Sequence, residues 1–113
     1  MVRLAAEDSE DLTILSAQMQ DALVRAADMR YLRKKRQFVL VANRFAWDAQ
    51  PKQERRRCGL SINSVLSAKQ LGFSAVEPNT ILALLSVTYH PEGEVGGHVL
   101  LTFSDGPSIR LTV

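Results

Sequence analysis

The sequence predicts an α+β domain, with one N-terminal helix packed on a strongly bent antiparallel sheet or a small, partly open barrel of six to seven strands. Two observations carry this expectation. Only one stretch, Ser9 to about Asp21, repeats apolar residues at helical spacing. From Leu23 onward, short apolar runs follow one another between turn residues, with connections too short for parallel crossovers, so successive strands should pair antiparallel. The length of 113 residues suits one domain, 1–113, with a single core.

In chain order, Val2 to Ala6 is a short apolar run that reads as a first strand. Asp8 or Ser9 can cap the helix that follows, and Glu10 and Asp11 favour the positive end of its dipole. Leu12, Leu15, Met19, Ala22 and Leu23 form its apolar stripe. Leu23 to Leu32 reads as a strand that turns through Arg33 to Arg36 into the longest strand-forming run, Gln37 to Asp48. Both faces of that run are apolar, which places it inside the sheet with a neighbour on each edge. Val39, Val41, Phe45 and Trp47 are expected to meet the helix stripe in the core.

Pro51 and its polar neighbours break the pairing, and Arg55 to Gln70 returns as a strand with Cys58, Leu60, Ile62 and Leu66 on one side. Ile81, Ala83, Leu85, Val87 and Tyr89 share one parity of the next strand. Pro91 to Gly97 is a glycine-rich turn, and Val99 to Phe103 makes a further strand. Asp105-Gly106-Pro107 is a tight turn, and Ile109 to Val113 makes the last strand. A pleckstrin-homology-like barrel is the preferred topology, although such barrels usually close with a helix after the last strand and none follows before Val113. An apolar strand ending there is expected either to continue into further residues or to be covered in a homodimer.

The segments LAAEDSEDL, SAQMQDALVR, ADMRYL, FVLVANRFAWD and RRRCGL together carry a resemblance. Over most of Val2 to Gly59 the chain resembles a family of small uncharacterised alphaproteobacterial proteins, a domain of unknown function. The resemblance implies a small cytoplasmic protein that continues past Val113, and it assigns no activity, cofactor or substrate.

Charge is unevenly spread although the net is only +2. Residues 1–28 carry two basic against six acidic groups, net −4; residues 29–57 carry ten against two, net +8; the remainder carries two against four, net −2. The middle third therefore supplies the candidate anion or partner contacts: Arg30, Arg33, Lys34, Lys35 and Arg36 before the central run, and Arg55, Arg56 and Arg57 after it. The two clusters flank a strand of about 12 residues, which holds them tens of ångströms apart at about 3.3 Å per residue.

Cys58 follows three arginines that would favour a thiolate, yet it shares parity with Leu60 and Ile62 and has no histidine nearby in sequence, so a buried, inert thiol is expected. A lone cysteine and the lack of a leader-like N-terminus fit a cytoplasmic protein, and no apolar run approaches the roughly 20 residues of a membrane span. His90, Glu92, Glu94 and His98 bracket one loop, but their spacing matches no metal signature, so solvated charges on a hairpin loop are the expected reading. No phosphate cradle, nucleophilic triad or paired-carboxylate motif appears, and no cofactor or metal is expected. The sequence thus favours a small non-enzymatic binding or interaction module with a protein partner. The alternative is a binder of nucleic acid or an anionic surface through the basic hairpin Arg30 to Arg36.

Overall fold

Alternation of small and branched apolar residues builds eight strands in a computed structural model that describes residues 2–6, 16–17, 19–46, 54–74, 76–93 and 96–113. Residues 2–6, 44–46 and 54–56 are described in their backbone. The strands are β1 (Val2–Ala6), β2 (Ala22–Leu32), β3 (Gln37–Ala46), β4 (Glu54–Ile62), β5 (Ser67–Leu71), β6 (Ile81–Pro91), β7 (Gly97–Phe103) and β8 (Ser108–Thr112). They form one sheet in the order β1-β4-β3-β2-β6-β7-β8-β5. Every pair is antiparallel except β1 with β4, which is parallel from Val2↔Cys58 to Ala6↔Ile62.

This corrects the expected α+β class. Among the described residues the fold is almost entirely sheet, with a 3-10 turn at Arg33–Lys35. Of the helix expected over Ser9 to Asp21, Ser16, Ala17 and Met19 carry helical backbone, and Asp21 already has φ 63°. Leu12 and Leu15 of the expected stripe lie outside the described residues, while Met19 is buried, Val87 N–H donates to Ser16 Oγ at 3.0 Å and Asp21 N–H donates to the Leu84 carbonyl at 2.8 Å. The segment thus lines β6, with β2 taking over as its partner from Ala22 on. The pleckstrin-homology-like barrel is corrected as well: β1 and β5 stand at opposite ends of the strand order and do not pair with each other, so the sheet is not closed.

The sheet bends so that one face of each half meets the other. A single core joins Ala22 and Val24 of β2, Phe38, Leu40 and Ala42 of β3, and Cys58, Leu60 and Ile62 of β4 to residues of β6, β7 and β8. The core face of β3 is therefore the parity opposite to the one expected. Val39 and Val41 are only half-buried on the outer face, the Phe45 side chain and Trp47 lie outside the described residues, and β3 does pair on both edges. With both faces apolar, alternation says that β3 is internal but not which side faces inward.

Two further expectations fail for local reasons. Ser64, at φ 61°, breaks the single strand expected over Arg55 to Gln70 into β4 and β5, which leaves Leu66 57% exposed while Cys58, Leu60 and Ile62 stay buried. In β6 a register shift between Leu84 and Ser86 swaps the inward parity: Leu82 and Leu84 are buried before it and Val87 after it, while Ile81 and Leu85 face out. The hairpin Asp105-Gly106 forms as expected, with both residues at positive φ, which suits the twist of β7 and β8.

Candidate functional site

The basic hairpin tip is held firmly. Arg36 takes the left-handed conformation after the 3-10 turn, and its carbonyl accepts from Val65 N–H at 2.8 Å. Tyr31 Oη donates to the Val65 carbonyl at 2.8 Å, and Gln37 Nε2 donates to Asn63 Oδ1 at 3.0 Å. Buried Val65 thus anchors the tip, while Arg30, Arg33, Lys34, Lys35 and Arg36 are exposed.

The second basic cluster lies at the other end of β3. Arg55, Arg56 and Arg57 pair in register with Phe45, Arg44 and Asn43. Asn43 is six residues along β3 from Gln37, roughly 20 Å at about 3.3 Å per residue, so the clusters do not converge.

Arg57 instead joins a pocket of about 390 Å³ on the outer face of the sheet, lined with it by Leu23, Arg25, Asp28, Val41, Ala42, Asn43 and Ile81. Cross-strand register brings these positions together: Leu23 is opposite Asn43, Asn43 opposite Arg57, and Arg25 opposite Ile81. A register shift between Val24 and Met29 lets the Arg25–Asp28 segment leave the β3 ladder, and Ala26 N–H and Ala27 N–H donate to the Thr80 and Pro78 carbonyls, both at 2.9 Å. There Arg25 donates to Asp28 Oδ1 at 3.0 Å, and this hydrogen bond, reinforced by the Asp28 charge, raises the Arg25 guanidinium above its ordinary value. Arg57 makes no ion pair among the described residues. Ile81, 56% exposed, adds apolar surface beside these charges.

Sequence reasoning singled out Arg57 but missed Leu23, Arg25, Asp28, Val41, Asn43 and Ile81. One signal was present: the pair Ala26-Ala27 inside ALVRAADMRYL interrupts alternation and puts opposite charges at both sides of the break.

The loop histidines build a polar cross-strand cluster. His90 and His98 are paired in register with rings stacked at 4.8 Å, and Thr88 Oγ1 lies 2.9 Å from His90 Nε2. Glu92 Oε1 accepts from Arg110 at 2.9 Å and lies 2.6 Å from His98 Nδ1, which as partner of an acceptor-only carboxylate carries the proton. The Glu92 carboxyl is lowered from its ordinary value chiefly by the His98 hydrogen bond, with desolvation opposing it and the Arg110 charge assisting. No group of three or more potential metal ligands converges among the described residues; Glu94 lies outside them. Cys58 is buried, its Sγ 3.9 Å from the Gly59 carbonyl. No helix among the described residues is long and apolar enough to cross a membrane.

Residues 2–113 match the family described as "Protein of unknown function (DUF2948)". The chain belongs to that family. The match spans both halves of the sheet and every residue of the outer-face pocket. No curated protein and no solved structure matches the chain.

Proposed function

We propose that this domain is a small non-enzymatic binding module whose contact surface is the outer-face pocket around Arg57. The observation that supports the reading is an exposed guanidinium without an ion pair among the described residues, set in a concave site beside Leu23, Val41 and Ile81. Exposed cations are ordinarily left to water, and accessible apolar side chains are ordinarily scattered; their meeting in a recess of about 390 Å³, within the roughly 300–1,000 Å³ of small-molecule sites, supports this reading. Titrating the ¹⁵N-labelled protein with a mixed set of anionic, neutral and cationic fragments tests it. Shifts should concentrate on the amides of Leu23, Val41, Asn43, Arg57 and Ile81; binders that all map elsewhere would refute the reading.

A second reading has its own support in the hairpin tip, where Arg33, Lys34 and Lys35 form an exposed turn without an acidic residue and Arg36 follows. Here the partner is nucleic acid or an anionic surface. Affinity for a labelled single-stranded oligonucleotide would fall with salt at a slope of about 0.7 per phosphate neutralised, and reversing the tip charges would abolish it. Binding that ignores both salt and those charges would exclude it.

A further inference from the structure

Resting on the binding-module reading above, we infer that the outer-face pocket takes a small monocarboxylate that carries an apolar chain. The charge count selects the monoanion: Arg25 and Arg57 contribute two positive charges to the lining and Asp28 one negative, leaving a net +1. A dianion would meet the Asp28 carboxylate with its second charge, and a cation would meet two guanidinium groups. The division of labour is set by the 3.0 Å bond between Arg25 and Asp28, which commits one guanidinium to the protein and leaves the planar fork of Arg57 for the ligand. Arginine offers parallel donors that match the two oxygens of a carboxylate.

The apolar half of the ligand follows from Leu23, Val41 and Ile81. Each is on the outer face, remote from the core contributed by the opposite parity of β2, β3 and β6, and covering them with hydrocarbon removes apolar surface from water. The site sits where β2 leaves β3 and pairs with β6, so the register shift that frees Arg25 and Asp28 also opens the recess.

Octanoate is the probe, with acetate, inorganic phosphate and 1-octanol as controls, followed by amide shifts and calorimetry on the full 113-residue chain. Octanoate should shift the pocket amides and bind at least about tenfold more tightly than acetate, phosphate or octanol. Arg57→Gln should reduce octanoate affinity about tenfold while leaving the weak binding of octanol unchanged, and Ile81→Ser should weaken both. Both positions are exposed, so folding is preserved, which the amide spectrum verifies. Equal binding of acetate or phosphate, or octanoate binding indifferent to Arg57→Gln, overturns the ligand class. If octanoate is silent while other fragments shift the same amides, the class is wrong and the binding-module reading stands. If no compound shifts them, both fall.

Discussion

Replacing Leu40 with alanine and, separately, Val41 with alanine decides which face of β3 belongs to the core. Leu40 is 1% exposed within the core cluster, and truncation removes three carbons. At about 0.8 kcal/mol per buried carbon the transfer loss is about 2.4 kcal/mol, and the cavity left in a packed interior raises the cost to about 3–4 kcal/mol. Val41 is half-buried on the outer face and loses two carbons, so about 0.8 kcal/mol is expected. For a domain of this size each kcal/mol corresponds to roughly 4 °C in Tm, which separates a drop of about 12–16 °C for Leu40→Ala from about 3 °C for Val41→Ala. Thermal unfolding followed by far-UV circular dichroism, with urea midpoints as a second measure, reads the difference. A Val41→Ala loss equal to or larger than that of Leu40→Ala would refute the assignment of the inner face.

Gly97→Ala should cost about 1–3 kcal/mol, because at φ 154° an added Cβ would press on the His90 carbonyl and stand 2.9 Å from Pro91 Cα, both backbone atoms; an unchanged urea midpoint would contradict this. The Glu92 carboxyl should titrate below an ordinary glutamate by ¹³C NMR and move upward in His98→Ala. Since its folded pKa is depressed, its small stabilising contribution is present above the unfolded carboxylate value and lost as pH falls through the folded one. A titration midpoint at or above the ordinary value would exclude the contact. Cys58, fully buried, should resist a thiol reagent in the native protein and react at once in denaturant; rapid native labelling would show that β4 opens.

Strand content was legible because each strand repeats its own local signal, and the basic hairpin was legible because Arg33 to Arg36 sit between two apolar runs. Facing was not. In Gln37 to Ala46 the two parities are almost equally apolar, so the choice between Leu40 and Val41 rested on nothing local. In Ile81 to Pro91 one extra residue at the register shift reverses parity midway, and a single alternation drawn through the strand must misplace either Leu82 and Leu84 or Val87. The expected α+β class came from giving the stripe Leu12 to Leu23 a sheet to cover, whereas Ala22 and Leu23 already belong to β2. The pocket stayed hidden because its residues come from β2, β3, β4 and β6 and meet only through pairings across the sheet.

The short ladder between β2 and β6 also bears on how the chain folds. Its four pairs, Ala22↔Leu84 to Arg25↔Ile81, join residues about 60 positions apart, whereas β2-β3-β4 and β6-β7-β8 are each wired through neighbours in sequence. Loop closure over that span is offset only when both halves already present their apolar faces, so each half collapses locally and the seam zips last. The same seam is the place where the native molecule yields first: amides of the Leu82–Leu84 stretch should exchange with solvent ahead of those at Leu101 or Leu111, and the reverse order would show that the sheet is nucleated at its middle rather than stitched there.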